Sequence, residues 1–336
     1  KCHHLIQELG GKAVHPVFGV PGGVSRGINE EERKEFEQIA RDVLEFAKLS
    51  LKVFDDIVLA NKEYVDMIVS DAYTHRTYSM GLVDENNKVN YYGGMVRVVD
   101  PDGNEFAKFE PKDYLEHIAE HVEPWSYIKF PYLKKVGWKG FVDGNDSGVF
   151  RVAPMARLNA SDGMATPLAQ EAYEKLYDTL GGKPVHHTLA IHWARLVEMV
   201  QAAETMIALS TDPEITGDDL RNIPTATPDE GVGIIEAPRG TLIHHYQTDE
   251  NGIIKKANLI VATVNNGAAV NMSIKKAAQA LIQPDKEITE GLLNRIEMAW
   301  RPYDLCLACA SHNLPGHPAM PMYVYDKNKQ IVKSWE

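Results

Sequence analysis

Asp304-Leu305-Cys306-Leu307-Ala308-Cys309-Ala310-Ser311-His312 is the stretch that carries the strongest chemical signal in this sequence. Two of the chain's three cysteines, Cys306 and Cys309, lie here three positions apart, and His312 follows three positions later. Two thiolates at that spacing can bind one soft metal ion together. The spacing alone leaves three interpretations open: half of a metal site, a redox dithiol, or two buried core thiols. A tetrahedral zinc site would need two further ligands.

The composition is that of an ordinary globular protein and disfavours several classes of function. The 336 residues are 44% apolar, which is enough for a large core, and the net charge of −12 argues against nucleic acid as a partner. No run of about 18 apolar residues occurs, so we expect no membrane span. Three cysteines do not make a disulfide framework, so we expect a reducing, cytoplasmic setting. The start at Lys1, without an initiator Met, suggests a fragment or a processed start.

Hydrophobic periodicity predicts a mostly α-helical protein with a small β-rich insertion and short hairpins, an α+β fold class. Apolar residues at spacings of three and four indicate the main helices at 29–68 (broken once), 112–122, 162–180, 186–210, 273–282 and 288–300. Turn signals such as Asp100-Pro101-Asp102-Gly103-Asn104 separate β-prone runs in the insertion, at about 73–109. Two more strand-like runs lie within 241–263. We expect a single domain over 1–336 that ends in a tail at 313–336.

Two further segments gather polar donors. Arg239 lies between proline and glycine in Glu236-Ala237-Pro238-Arg239-Gly240. Such an arginine is usually a surface turn, but on a stiff loop its guanidinium can offer fixed donors to an anionic or polar ligand. The apolar run that begins at Leu259 ends in Thr263, Asn265 and Asn266, so hydroxyl and amide groups meet at a strand end. By pattern alone, an ordinary strand end capped by asparagine is the favoured interpretation.

Taken together, four separated segments resemble the large, catalytic subunit of nickel–iron hydrogenases. Asp304–His312 matches the family's Asp-Pro-Cys-x-x-Cys-x-x-His signature, and Glu236–Gly240 matches its Glu-Ala-Pro-Arg-Gly motif in full. Arg151–Asn159 is similar to Val-Gly-Pro-Leu-Ala-Arg-Leu-Asn, and residues 15–23 fit the early His-Pro-x-x-Gly-x-Pro-Gly-Gly loop. The likeness is greatest to the cytosolic group of methyl-viologen-reducing (F420-non-reducing) enzymes and their NAD-linked relatives. Several motifs in the right order are far more specific than the cysteine pair alone.

The resemblance implies a hydrogenase that cleaves H2 reversibly and heterolytically at a nickel–iron centre. The family holds that centre with four cysteines, and its iron carries carbon monoxide and cyanide. On this pattern Cys306 is a terminal nickel ligand and Cys309 bridges nickel and iron. A bridging thiolate suits this role because sulfur is a soft donor that can hold two metals. The base would be a terminal cysteine thiolate or Arg239.

The resemblance also assigns residues around the metals. Arg239 falls where the family's arginine donates to one cyanide, and Thr263 falls where a Ser or Thr donates to the other. Asp304 matches an acidic residue in the same canopy. His312 matches a histidine that binds a separate magnesium or iron ion, and the backbone carbonyl of Leu259 falls where another ligand of that ion belongs. Donors around a centre of this kind tune its electronics.

The same resemblance implies partners. Electrons would leave through an iron–sulfur small subunit, and then through further electron-transfer subunits, because this chain has too few cysteines for clusters of its own. Maturation factors would insert the metals. An endopeptidase would cleave after His312, as is common in the family.

Three features depart from the family pattern. The N-terminal Arg-x-Cys-Gly-x-Cys-x-x-x-His motif, which supplies two more cysteines and a glutamate thought to carry protons, is not found, and Cys2 does not replace it. Leu305 stands where proline is usual, and residues 313–336 extend beyond the cleavage point. These departures keep an unprocessed precursor or a non-catalytic paralogue open. They also admit a scaffold of the complex I type, although both cysteines argue against it, and a zinc-binding structural module.

Overall fold

The computed structural model describes residues 1–126, 128–284, 286–306 and 322–335. Its α-helices are α1 Cys2–Gly10, α2 Glu30–Phe54, α3 Lys62–Ile68, α4 Tyr114–His117, α5 Pro154–Ala160, α6 Pro167–Thr179, α7 Ile191–Thr211, α8 Ala262–Asn265, α9 Gly267–Leu281 and α10 Glu290–Glu297. Its strands are β1 Gly19–Val20, β2 Gly23–Val24, β3 Tyr78–Val83, β4 Met95–Val99, β5 Glu105–Phe109, β6 Ile118–His121, β7 Phe130–Leu133, β8 Phe150–Arg151, β9 Glu230–Ala237, β10 Gly240–Thr248, β11 Ile254–Ile260, β12 Met322–Tyr325 and β13 Ile331–Trp335. The prediction of an α+β protein with a mostly helical body is confirmed.

Helix α2 begins at a capping box. The Asn29 side chain accepts from the backbone N–H of Glu31 and Glu32, and the Glu32 carboxylate accepts from the Asn29 N–H at 2.8 Å. This arrangement satisfies donors that the helix cannot satisfy itself, and the acidic first turn complements the helix dipole. The helix passes into a π-helical turn at Asp55–Leu59, and α3 follows. The predicted break within 29–68 is therefore present.

Helix α7 is the centre of the helical core. Its apolar residues are buried around most of its circumference, with Trp193 and Val197 almost inaccessible to solvent, and α2, α5 and α6 pack around it. A helix that is apolar on all sides belongs in an interior. The few charged residues of this helix therefore lie in largely apolar surroundings. Some of their polar partners are part of the site described below.

The β-rich segment forms a sheet with strand order β5-β4-β3-β8. Strands β3, β4 and β5 are antiparallel neighbours, and β8 pairs with β3 in parallel. The predicted turn between β4 and β5 forms around Asp100, whose carboxylate accepts from the N–H groups of Asp102 and Asn104 at 2.9 Å. Aspartate is favoured there because its side chain mimics a backbone turn.

Strands β9, β10 and β11 form an antiparallel meander whose inner face joins this sheet in a second apolar core. Ile234, Ile243 and Ile260 pack there with Met80 and Leu82 of β3. The two strand-like runs predicted within 241–263 correspond to β10 and β11. The fold thus has a helical core and a β core side by side, and their junction determines where the site lies.

The helix predicted at 112–122 is wrong in its second half. A 3-10 turn at Pro111–Asp113 and α4 occupy the first half, but β6 occupies Ile118–His121 and pairs with β7. Ile118 has an extended backbone, with φ −116° and ψ 135°, and its side chain is buried in the β core. Tertiary pairing with β7 therefore outweighs local helical periodicity. The single-domain assignment over 1–336 stays a prediction.

None of the helices in the described ranges combines the length and the apolar character that crossing a lipid bilayer requires.

Candidate metal centre

Arg239 lies at the tip of the hairpin that joins β9 to β10. Ala237 pairs with Gly240, so Pro238 and Arg239 form the two-residue turn. Gly240 has a φ of 131°, and a Cβ there would overlap the carbonyl oxygen of Val152. Only glycine can take this conformation at so close an approach, so the hairpin presses tightly against the segment before α5.

The structure brings Arg239 and Asp304 together. The Arg239 Nε donates to the backbone carbonyl of Asp304 and lies 3.3 Å from its carboxylate oxygen Oδ2. Both side chains are partly exposed, at 36% and 49%. Nη1 and Nη2 of Arg239 make no hydrogen bond with any described residue, so the outer edge of the guanidinium keeps its donors for another group.

Paired asparagines hold the hairpin tip from behind. Asn266 donates to the carbonyl of Arg239 at 3.0 Å and accepts from the Val152 N–H at 2.9 Å. Asn265 donates to the carbonyl of Thr241 at 2.8 Å. Both asparagines are fully buried, on or next to the one-turn helix α8. The polar residues at the end of β11 therefore fix the arginine loop and do more than cap a strand.

Thr263 connects this platform to the cysteine segment. Its buried hydroxyl oxygen accepts a hydrogen bond from the backbone N–H of Cys306 at 3.2 Å. A hydroxyl that accepts in this way still has its own hydrogen to donate. Arg239, Thr263, Asp304 and Cys306 are thus joined by contacts that connect three separate parts of the chain.

Asp304 has a left-handed backbone, with φ 53° and ψ 56°. This conformation costs a non-glycine residue roughly 1–2 kcal/mol, so neighbouring contacts must hold it. Arg195 of α7 donates to the carbonyl of Pro302 at 2.7 Å. The buried Tyr303 hydroxyl lies 3.1 Å from Ser273 Oγ on α9. The two residues that precede the strained position are therefore anchored to α7 and α9.

A buried ionic network lies directly behind the hairpin. Arg157 of α5 makes paired hydrogen bonds with Glu198 of α7, Nε to Oε1 at 2.6 Å and Nη2 to Oε2 at 2.5 Å, and its Nη1 lies 2.9 Å from Glu236 Oε2. The other oxygen of Glu236 accepts from the Leu82 N–H and the Thr241 hydroxyl, both at 2.9 Å. Burial raises the pKa of Glu236 to about 7, although Arg157 and the other donors act to lower it.

Sequence reasoning misses the parts played by Arg157 and Glu198. Arg157 lies in the segment 151–159, which stands out only for its resemblance, and Glu236 opens the Glu-Ala-Pro-Arg-Gly motif. Glu198 gives no signal, because a glutamate on a helix usually faces water. The available clue is a lone charged residue, Arg157, in a short and mostly apolar helix, α5, whose residues are all buried.

The structure describes fewer contacts for the remaining predicted site residues. Leu259 lies on β11 opposite His244 of β10, four residues before Thr263. Cys309 and His312 lie outside the described residues. Within the described ranges, no group of three or more His, Cys, Asp or Glu side chains is arranged to hold a metal ion.

The described residues fit one side of a nickel–iron centre. Cys306 carries a sulfur atom that, as a thiolate, would be a soft ligand. Thr263 contacts the backbone of this segment at Cys306, and Arg239 contacts it at Asp304. A cavity of about 190 Å³, lined mainly by apolar groups including Phe130 and Leu305, adjoins Thr263. An apolar surrounding of this kind strengthens hydrogen bonds made to a bound anionic ligand.

Comparison with known proteins identifies the class of protein. Residues 1–312 match the family described as nickel-dependent hydrogenase, and the chain belongs to that family. It is 52% identical over 330 residues to the iron-sulfur subunit of the F420-non-reducing hydrogenase of Archaeoglobus profundus, covering 98% of this chain and 68% of that protein. It is 38% identical over 336 residues to the NAD-reducing hydrogenase HoxS subunit beta of Cupriavidus necator, covering 98% of this chain and 66% of that protein.

The fold agrees with this assignment. The crystal structure of an NAD+-reducing nickel–iron hydrogenase in the H2-reduced state matches with a TM-score of 0.83 and 35% identity, covering 92% of this chain and 66% of that one. The chain spans about two thirds of the length of these relatives. The predicted family and large-subunit fold are confirmed, and with them the enzyme class, an oxidoreductase that acts on H2. Family membership also implies a nickel-containing centre.

Proposed function

We propose that this chain supplies one side of the nickel–iron centre of a cytoplasmic hydrogenase that cleaves H2 reversibly and heterolytically. Cys306 would be a terminal ligand of nickel, and Cys309 would bridge nickel and iron. The observation that carries the proposal is the meeting of Arg239, Asp304 and Thr263 around the backbone of Cys306. The Arg239 guanidinium and the Asp304 carboxylate are partly exposed, so their pairing is not explained by a buried structural role.

Arg239 and Thr263 would hold the diatomic ligands of the iron. The outer nitrogens of Arg239 would donate to one cyanide, and the Thr263 hydroxyl would donate to the other. Support comes from the donors that both groups keep after their contacts with Asp304 and Cys306. A cyanide nitrogen is an acceptor, and donors fixed in advance bind it without reorganisation. Carbon monoxide needs no such partner.

When bound, the nickel–iron group would supply the Lewis acidity and electron acceptance that H2 cleavage requires. The products are two protons and two electrons. The chain itself would handle the proton, with the Cys306 thiolate or Arg239 as the first acceptor. Asp304 Oδ2 lies 3.3 Å from the Arg239 Nε, so its carboxylate helps to hold that guanidinium in place. It would also be a nearby acceptor for a proton on its way out.

A second metal ion and several partners complete the proposal. His312 and the backbone carbonyl of Leu259 would bind magnesium or iron. Electrons would pass to an iron–sulfur small subunit, and then to further electron-transfer subunits. The relatives are named as subunits of larger enzymes, which supports such a complex. Maturation factors would insert the metals, and an endopeptidase would remove the tail after His312.

Metal analysis with infrared spectroscopy of the natural complex tests the proposal. We expect nickel and iron in the active site near one to one, with bands for bound carbon monoxide and cyanide. Cys306→Ser should abolish both, because a hydroxyl does not replace a soft thiolate ligand. Cys2→Ser is the matched control, because Cys2 is exposed on α1, and it should change neither.

The opposite results are equally clear. A complete, assembled complex without nickel or diatomic bands would refute the catalytic proposal and favour a non-catalytic scaffold. Zinc in place of nickel would favour a structural module. A chain that ends beyond His312 in the natural, metal-loaded protein would contradict the cleavage.

A further inference from the structure

We infer that Arg157 is a positioning residue for Arg239: its guanidinium holds the backbone that carries Arg239 at the metal centre. This inference rests on the proposed function. It concerns a residue with no contact to the metals, which would act only through the hairpin.

Arg157 contacts three successive residues that lead to Arg239. Its Nη1 donates to the carbonyl of Ala237 at 2.6 Å and to the carboxylate of Glu236 at 2.9 Å. Its Nη2 lies 3.4 Å from the carbonyl of Pro238. The planar fork of a guanidinium can reach all of these acceptors at once, whereas the single ammonium of a lysine cannot.

Arg157 cannot swing away from the hairpin. Its Nε and Nη2 are bound by the Glu198 carboxylate at 2.6 and 2.5 Å, and only 2% of the Arg157 side chain is exposed. Gly81 of β3 packs closely against the stem of Arg157, since an added Cβ there would lie 3.0 Å from Arg157 Cγ. Burial acts to lower the pKa of Arg157, but Glu198 and Glu236 raise it overall, so it stays cationic.

The carbonyls of the hairpin tip are thus held from two sides. Arg157 takes those of Ala237 and Pro238, and the paired asparagines take those of Arg239 and Thr241. Beyond this backbone, the Arg239 side chain contacts Asp304 through its Nε. Catalytic groups misplaced by about 1 Å can lose about 10²-fold in rate, so the precision of this backbone bears directly on the reaction.

Arg97 provides a matched control. It is also a buried arginine, it pairs with two carboxylates, Glu105 and Asp162, both at 2.8 Å, and it donates to the carbonyl of Ala160. It does not touch the β9–β10 hairpin. The carboxylate partners of Arg97 are about half-exposed, so Arg97→Lys weakens an arginine–carboxylate cluster away from the hairpin, and only Arg157→Lys should disturb Arg239.

The test compares R157K with R97K in the complete, metal-loaded complex. We expect R157K to lower the turnover of H2 oxidation by about 10- to 100-fold and to shift or broaden the infrared bands of the bound cyanides. R97K should leave the bands in place and the turnover within about twofold, even where its melting temperature falls equally. In an R239K background, R157K should add less than about a twofold loss, because both changes act through the same side chain.

Hydrogen exchange separates the two proposals. Amides at 239–242 should exchange faster in R157K than in the parent protein or R97K, whether or not H2 is oxidised. Unchanged exchange with unchanged cyanide bands would overturn the positioning role. Absent bands in the parent protein would instead overturn the proposed function. If R157K fails to accumulate, E198D withdraws the anchoring carboxylate by one methylene while keeping every charge, and the same outcomes apply.

Discussion

Asp304 combines two properties that rarely occur in one residue. Its backbone is left-handed, which favours glycine, yet its carboxylate lies beside Arg239, which a glycine could not provide. Strain of this kind persists only where surrounding contacts over-determine it, and Arg195, Tyr303 and Thr263 supply those contacts. The backbone conformation therefore favours glycine, whereas the contact with Arg239 requires the carboxylate.

Substitution at Asp304 can separate the backbone from the carboxylate. Asp304→Gly and Asp304→Ala both remove the carboxylate, but only alanine keeps the left-handed strain. We expect the glycine variant to exceed the alanine variant by about 1 kcal/mol in free energy of unfolding. Urea titrations of the two variants measure this difference. Equal stabilities would show that the left-handed conformation is absent in solution.

Individual site residues were predictable to different degrees. Arg239, Thr263, Asp304 and Cys306 lie in segments whose residue types and spacing were informative, and the structure joins them by contacts. Arg157 and its carboxylate partners form contacts across 41 and 79 positions of sequence. No local pattern encodes such pairings, because each partner alone resembles an ordinary charged residue.

At the scale of elements, the β9–β10 hairpin depends on one glycine. Gly240→Ala places a methyl group against the backbone of Val152 at a φ of 131°. We expect a loss of at least about 2 kcal/mol in free energy of unfolding, because both the clash and the backbone conformation oppose the change. Chemical denaturation measures it.

Gly231→Ala is the control for this prediction. Gly231 lies on β9 of the same hairpin, and an added Cβ there meets nothing within 4 Å. It should be neutral or slightly stabilising, since alanine loses less backbone entropy on folding than glycine. Equal losses at the two glycines would mean that the tight packing against Val152 is not what limits the hairpin.

Helices and strands were predicted well where the spacing of apolar residues followed one clear period. The break after α2 and the strands β3–β5, β10 and β11 follow from apolar spacing and turn residues. The failure at 112–122 has a specific cause. Ile118 continues the helical pattern of the preceding residues, but its place in the β core is determined by β7, which lies further along the chain. Pairing with a distant strand cannot be deduced from a local window.

At the scale of the whole molecule, α5 joins the helical core to the β core. Met155 and Leu158 pack with the helices, whereas Val152 just before α5 packs with the sheets. Arg157 spans the same junction, binding α7 on one side and β9 on the other. The ionisation of this network therefore affects the stability of the molecule as a whole.

Stability should depend on pH through Glu236. Its pKa is about 7 in the folded protein, against an ordinary value of 4.5. Between these values the unfolded chain loses the proton while the folded chain keeps it, so stability falls as pH rises from about 4.5 to about 7. We expect the parent protein to lose about 3 kcal/mol relative to Glu236→Gln over this range. Urea titrations at a series of pH values test this.

For Glu230→Gln we expect a pH dependence of stability with the opposite sign. Glu230 lies on the same strand, but it is exposed, and hydrogen bonds from Gln247 and His245 lower its pKa. The free energy of unfolding of the parent protein should therefore increase relative to that of Glu230→Gln as pH rises through the acid range. It should decrease again as pH falls. The same slope for both variants would show that the buried position of Glu236 has no effect on its titration.

The contacts around Cys306 also imply an order of events during synthesis. Asp304 is bonded to a residue 65 positions earlier, Cys306 to one 43 positions earlier, and Pro302 to one 107 positions earlier. Every one of these partners is translated before the cysteine segment. A ribosome delivers the chain from its N-terminus, so the surface that receives the Cys306 segment can fold before that segment emerges. The direction of translation thus allows the cysteine segment to dock on a surface that has already folded.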